Sequence, residues 1–355
     1  MQKLLCPIVF GLLTILLSGC SDENANANST DTFVRAADLS FLPEIEQSET
    51  IYYDNGQPKD AIQILHDHGC NTIRLRLWKN PPAGHSGMAE VKQMAMRARV
   101  LGMQVWLSVH FSDTWADPGQ QMIPQEWQVL DFDGLKAEVS GYTSEIIQQI
   151  HPDIFQIGNE TNDGFLWPMG QLSQNPLQCH ELFSAVSASI RAQSPQTKIM
   201  IHYAGTSGAV EFFDSFEDID YDSAGLSYYP VWHGTDLDEL SSVMALIQNH
   251  TGKEILIAET AYPFTLGYDD WTNNIVGLES QLVPGYPATP NGQKQFLQSI
   301  RNLVEWNPNG NGFCYWGGEW VAFRGPESTS GSPYENQALF DFDHNGLSVL
   351  DVFER

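Results

Sequence analysis

Eight short apolar runs, mostly separated by stretches of helical periodicity, leave this chain few folds to choose from. The runs are residues 34–40, 72–78, 104–111, 154–160, 198–204, 224–229, 254–260 and 312–316. Strands alternating with helices favour parallel pairing through right-handed crossovers. Eight such units point to a single α/β domain closed as a (β/α)8 TIM barrel rather than an open sheet. Helical spacing over 87–101, 133–150, 178–193, 237–248 and 292–305 supplies crossovers, with Gly102 as a C-terminal stop and Asn291-Gly292 opening the last. No Gly-x-Gly-x-x-Gly follows the first run, which disfavours a nucleotide-binding sheet.

The barrel is expected to span 33–355. Residues 1–19 begin Met-Gln-Lys and continue as an apolar stretch too short to span a membrane, so they read as a secretory signal. Leu17-Ser18-Gly19-Cys20 is similar to a bacterial lipobox, which implies cleavage before Cys20 and lipid on that residue. Residues 20–32 are polar and aperiodic, a flexible tether. The chain is thus expected to be an extracytoplasmic, monomeric lipoprotein that touches membrane only through its lipid. Ser21 after the cysteine favours the outer membrane, by its similarity to Gram-negative sorting signals. Three cysteines then remain, Cys70, Cys179 and Cys314, with no Cys-x-x-Cys pair. A disulfide framework or thiolate metal site is therefore not expected. Removing Lys3 from 17 basic residues leaves 16 against 44 acidic, a formal −28 that repels nucleic acid and anionic headgroups. Ten Trp, twelve Tyr and eighteen Phe suit a neutral sugar, whose apolar faces pack on aromatic rings.

Two of the eight runs end in glutamate: Ile157-Gly158-Asn159-Glu160 and Leu256-Ile257-Ala258-Glu259. The carboxyl ends of barrel strands are where this fold keeps its chemistry. A facing pair of carboxyls is the minimum equipment for breaking a glycosidic bond. Alternation puts Arg74, Arg76 and Trp78 on the lumen side of the second strand, and Trp106, Ser108 and His110 on one face of the third. The same rule places Gln156, Gly158 and Glu160 together, and Ile255, Ile257 and Glu259 together. Glu259 is expected to be an ionised nucleophile beside Arg74 or Arg76. Glu160, against an apolar wall and a like charge, is expected to be an acid of raised pKa. Asn159 can donate to the sugar 2-hydroxyl. One such glutamate alone reads as a salt-bridge partner of the arginines; two in barrel phase, with Asn159, favour catalysis. His110 and His202 enter as sugar-hydroxyl partners, and Trp78, Trp115, Trp167, Trp232 and Trp316 as stacking platforms or loop anchors.

The motifs Ala36-Ala37-Asp38-Leu39-Ser40, Asn71-Thr72-Ile73-Arg74-Leu75-Arg76-Leu77-Trp78 and Thr114-Trp115-Ala116-Asp117-Pro118-Gly119 resemble those of glycoside hydrolase family 53. So do Ser227-Tyr228-Tyr229-Pro230-Val231-Trp232 and Glu259-Thr260-Ala261-Tyr262-Pro263. The family comprises endo-β-1,4-galactanases acting on the galactan side chains of pectin. The resemblance implies a clan A barrel, a retaining mechanism, Glu160 as acid/base and Glu259 as nucleophile. It also implies substrate contacts from Asp38, Asp117, Tyr228 and Tyr229. Alternatives in view are a clan relative acting on another β-linked glycan and a glycan-binding lipoprotein without turnover. No cofactor is expected for the chemistry. Asp269, Asp270, Asn273 and Asn274 offer oxygens for a structural calcium, although an acidic loop without metal is the favoured reading. Gly317-Gly318-Glu319-Trp320 departs from the family pattern, so the resemblance does not assign the floor of the −1 subsite there.

Overall fold

The computed structural model describes residues 33–355 and, before them, Gln2 alone. The signal, tether and Cys20 expectations fall outside the described residues. Eight parallel strands close into a barrel: β1 (Val34–Asp38), β2 (Thr72–Leu77), β3 (Gln104–Val109), β4 (Ile154–Ile157), β5 (Lys198–Ala204), β6 (Ser223–Ser227), β7 (Glu254–Thr260) and β8 (Gly310–Tyr315). Each pairs with its neighbours in chain order, and β8 returns to β1 through Val34 opposite Gly312. The TIM barrel expected from the eight runs is the fold observed.

Seven crossovers carry helices: α1 (Ala61–Asp67), α2 (Met88–Val100), α3 (Phe132–Ile150), α4 (Pro176–Gln193), α5 (Ala209–Ser215), α6 (Leu237–Thr251) and α7 (Pro290–Trp306). After β8 a 3-10 turn, Ser348–Phe353, packs on α7 where an eighth helix would lie. The helix boundaries follow from capping. Asp131, Asp236 and Thr289 accept backbone N–H bonds at the starts of α3, α6 and α7. Pro290 takes the first position of α7, so the helix begins before Asn291-Gly292. Gly102 follows α2 with φ +76, the left-handed stop that glycine supplies. The short helices α1 and α5, seven residues each, have too few turns to show a period, and the sequence did not reveal them.

Two apolar layers hold the barrel. Ile73, Leu75, Leu77, Val105, Leu107 and Val109 pack outward against the helices. A smaller lumen layer of Val34, Ala36, Trp106, Ile154, Met200, Leu256, Ala258 and Cys314 plugs the amino-terminal half, with Trp106 fully buried. Cys70, Cys179 and Cys314 are buried free thiols. Above the plug the lumen turns polar, and the catalytic-type groups stand there.

Candidate active site

Strand alternation alone does not deliver the two glutamates. On β7, Ile255 and Ile257 face the helices while Leu256 and Ala258 face the lumen. The expectation that Glu259 shares a face with Ile255 and Ile257 is therefore corrected. The register slips at this point: Leu226 pairs with Ile257, but Ser227 pairs with Glu259, and on β8 Phe313 pairs with Ile257 but Tyr315 with Thr260. The extra residue is a β-bulge, which re-aims Glu259 into the lumen. On β4 the strand ends at Ile157, three residues before the expected Glu160. Gly158 at φ +70 and Glu160 at φ +47 turn the chain, so the consecutive Asn159 and Glu160 both line the cleft. Glu160 in the left-handed region is a conformation that a residue with a Cβ adopts only when its surroundings hold it.

Beneath the pair lies Arg74, 1% exposed. Its guanidinium donates to Glu259 Oε1 at 2.6 Å and Asp38 Oδ2 at 2.7 Å, and also reaches Asn159 Oδ1 at 3.0 Å and Gln156 Oε1 at 3.2 Å. A buried cation is tolerated only with such partners. Burial would lower its pKa, but the Glu259 and Asp38 carboxylates outweigh burial and raise it. Of the two arginines left open by the sequence, Arg74 is the one on Glu259. Arg76 instead sits in an aromatic cage, 4.2 Å from the Trp115 ring, 4.5 Å from Trp78 and 4.6 Å from Phe41. Its Nε donates to Ser86, and burial brings its pKa down to about 10.

A carboxylate oxygen of Glu160, one of Glu259 and a ring nitrogen of His202 all lie within 4.8 Å of one another. That approach of their oxygens fits the roughly 5–5.5 Å carboxyl separation of retaining glycosidases better than the roughly 6.5–9.5 Å of inverting ones. The two carboxyls have different company. Glu259 accepts from Arg74 and, at 2.9 Å, from the Tyr229 hydroxyl; burial raises its pKa while Arg74 and Tyr229 oppose the rise. Glu160 accepts from the Ser227 hydroxyl at 2.7 Å, and burial, then the Glu259 charge, push it up to about 8. The shared proton resides on Glu160, because Glu259 has the cation. Sequence reasoning had that order but not the rise at Glu259, which comes from its burial.

A cavity of about 230 Å³ opens over the pair. Asp38, Arg74, Arg76, His110, Trp115, Asp117, Asn159, Tyr229, Trp232 and Trp316 line it, as expected from the sequence. Trp232 is 55% exposed at its rim. His110 Nδ1 accepts from Trp78 Nε1 and from the Ala116 amide, which leaves Nε2 as its donor. Asn159 Nδ2 donates to the Ala116 carbonyl at 2.9 Å and keeps its second hydrogen.

Two expected substrate contacts, those of His202 and Tyr228, are corrected. His202 is fully buried, with both ring nitrogens already hydrogen-bonded, so it meets no sugar. Tyr228 is buried and donates its hydroxyl to the Gly234 carbonyl. Trp78 is half-buried and outside the lining of this cavity, where its indole N–H donates to His110 and its ring backs Arg76. Trp167 is likewise off the cavity and donates its indole N–H to the Asp163 carbonyl.

The sequence missed Tyr334, which lines the cleft from the loop after β8, and Ser227, which ends β6. Ser227 had a signal, since it begins the Ser-Tyr-Tyr-Pro block. Tyr334 had none, because it belongs to no strand end. Glu319, from the unexpected Gly-Gly-Glu-Trp stretch, is fully buried and accepts from the Phe41 amide. Burial, then the Asp38 charge, raise it to about 8.

Among the described residues, Glu160, His202 and Glu259 are the one converging set of three His, Cys, Asp or Glu side chains. With His202 lone-pair and N–H positions both engaged and Arg74 on Glu259, the set suits proton transfer and not metal ligation. In the loop after β7, Asp270 Oδ1 accepts from the Thr272 amide. Asp270 Oδ2, Asn274 Oδ1, Glu335 Oε2 and Asn336 Oδ1 are buried acceptors with no hydrogen-bond partner. Such oxygens are the donor type that a hard cation takes. Asn273 is exposed.

The comparisons with known proteins agree with this geometry. An arabinogalactan endo-β-1,4-galactanase of Cellvibrio japonicus is 32% identical, over 96% of this chain and 93% of that protein. An endo-β-1,4-galactanase of Bacillus subtilis is 30% identical, over 91% of this chain and 85% of that protein. Among solved structures, the GH53 catalytic domain of Ignisphaera aggregans superposes with a TM-score of 0.85 at 34% identity, covering 91% of this chain and 95% of that one. The model described as glycosyl hydrolase family 53 matches residues 34–353, and the chain belongs to that family.

Proposed function

We infer that the protein is a retaining endo-β-1,4-galactanase. The observation that carries this is the pair of carboxyls within 4.8 Å, one held by a guanidinium and the other by a hydroxyl. In the first step a Glu259 oxygen bonds to the anomeric carbon of a galactosyl unit. The bond to the leaving oxygen breaks, and that oxygen keeps the electron pair and takes the proton of Glu160. In the second step Glu160 removes a proton from water, the water oxygen bonds to the anomeric carbon, and Glu259 departs with its electron pair. Two inversions give net retention. Arg74 and Tyr229 hold the nucleophile oriented and ionised. Asn159, with one amide hydrogen free, is placed to donate to the sugar 2-hydroxyl. Trp115, Trp232 and Trp316 supply apolar walls for sugar rings.

The substrate is the part taken from the family and its galactanase relatives. Digestion of potato galactan, xylan and mannan tests it: galacto-oligosaccharides from galactan are expected. Xylo- or manno-oligosaccharides without them would overturn the assignment. Proton NMR of the first reducing ends should show the β-anomer.

The lipobox-like Leu17-Ser18-Gly19-Cys20 supports attachment as an extracytoplasmic lipoprotein, with residues 20–32 as tether and the catalytic domain a monomer. Labelled palmitate entering the wild type but not Cys20→Ala is the expected result. Asp270, Asn274, Glu335 and Asn336 are proposed to hold a structural calcium that ties the loop after β7 to the loop after β8. Chelation should then lower the melting temperature without altering the catalytic pair, and calcium alone among added divalent cations should restore it.

A further inference from the structure

Three hydrogen bonds leave Glu160 and return to it. Its backbone N–H donates to His202 Nδ1 at 3.2 Å, His202 Nε2 lies 2.9 Å from Ser227 Oγ, and Ser227 Oγ lies 2.7 Å from Glu160 Oε1. The direction of every bond in this ring can be assigned from groups that only donate. Trp106 Nε1 and Arg74 Nη2 both point at Gln156 Oε1, at 3.1 and 3.2 Å. The amide nitrogen of Gln156 therefore faces His202 Nδ1, at 2.9 Å. With Gln156 and Glu160 both donating to it, Nδ1 carries the lone pair, and the imidazole hydrogen sits on Nε2. That hydrogen goes to Ser227 Oγ. Ser227, having accepted from His202, has its own hydrogen for Glu160 Oε1. Burial and the nearby Arg74 charge keep His202 neutral, as the ring requires.

His202 and Ser227 are both fully buried and absent from the lining of the cleft. Neither contacts substrate, so their use must lie in what they hold. We propose that Ser227 and His202 are positioning residues for the acid–base group: the ring reserves Glu160 Oε1 as an acceptor and leaves Oε2 to carry the transferable proton. The proposal rests on reading Glu160 as the acid–base residue. The same ring anchors the backbone N–H of a residue at φ +47, so the strained turn and the carboxyl orientation are fixed together. During glycosylation the Oε2 proton passes to the leaving oxygen as the glycosidic bond breaks. The Glu160 carboxylate then formed accepts a stronger bond from Ser227. In the second step Oε2 takes a proton from water and the starting arrangement is restored.

The test compares Ser227→Ala with wild type on galactan and on a 2,4-dinitrophenyl β-galacto-oligoside, whose leaving group needs no proton. The expected result is a loss of roughly 10- to 100-fold in kcat/KM on galactan, with little loss on the dinitrophenyl substrate. Because the Ser227 bond favours the carboxylate, the alkaline limb of the pH profile should move to higher pH. Equal losses on both substrates with an unmoved limb overturn the proposal. Nitrogen NMR of His202 in the unmutated protein gives an answer even if the variant fails to fold. A hydrogen on Nε2 alone is expected; one on Nδ1, or on both, breaks the ring. Should the unmutated protein leave galactan intact, the galactanase reading fails, while the NMR result still decides the ring.

Discussion

Glu160 and Glu259 are the same side chain at the mouth of one barrel, yet the chain presents them by different means and gives them different protons. At β7 a bulge inserts one residue and turns Glu259 inward onto Arg74. At β4 the strand stops, and left-handed residues at 158 and 160 swing Glu160 over the lumen onto Ser227. One carboxyl meets a cation and a phenol, the other a hydroxyl and an anion. Environment, and not residue type, assigns nucleophile and acid.

The largest way to break this comparison is to remove each carboxyl in turn. Glu259→Ala should lose on the order of 10⁴–10⁶ in kcat on every substrate, as loss of a covalent nucleophile does. Azide added to that variant should yield the α-galactosyl azide; a β product would mean that Glu259 is not the nucleophile. Glu160→Ala should lose about 10²–10⁴ on galactan and far less on a dinitrophenyl leaving group. Its azide product should be β. If the two variants behave alike on both substrates, the division of roles is wrong.

Next comes the support beneath the pair. Arg74→Met leaves Asp38 and Glu259 as buried carboxylates without their cation, and should cost about 3–5 kcal/mol in urea denaturation. A loss below about 1 kcal/mol would mean that the network relaxes around the change. The smallest effect sharpens the contrast through pH. Glu160 and Glu319 have pKa values raised to about 8, so the folded state holds their protons more tightly than the unfolded chain does. Their contribution is full below the unfolded carboxyl pKa of roughly 4.3 and is lost as pH rises through about 8. Melting temperature should therefore fall across that window. Glu160→Gln and Glu319→Gln should each flatten the fall, whereas a carboxyl with a depressed pKa would give the opposite slope.

Much of this site was readable from residues before any coordinates. Glutamates at the ends of the fourth and seventh runs, Arg74 on the lumen face of β2, and Trp115, Trp232 and Trp316 past strand ends all line the cleft. What escaped was set by breaks in periodicity. Alternation assigned Glu259 to the face of Ile257, and only the register slip corrects it. His202 looked like a sugar ligand because its strand position is right; its neighbours Gln156 and Ser227, from strands on either side, bury it and use both nitrogens. Tyr334 comes from an irregular loop after β8, where no pattern marks a side chain as lining anything.

The sequence by itself determined the barrel, because apolar runs of strand length alternating with helices have few ways to bury their faces. It also determined the chemistry, because carboxyls at two carboxyl-terminal strand ends converge in a closed barrel. Tertiary structure alone decided which arginine holds the nucleophile, how each carboxyl is aimed and which polar groups line the cleft. Those depend on hydrogen bonds among residues as far apart as Arg74 and Glu259, whose mutual direction no local pattern along the chain encodes.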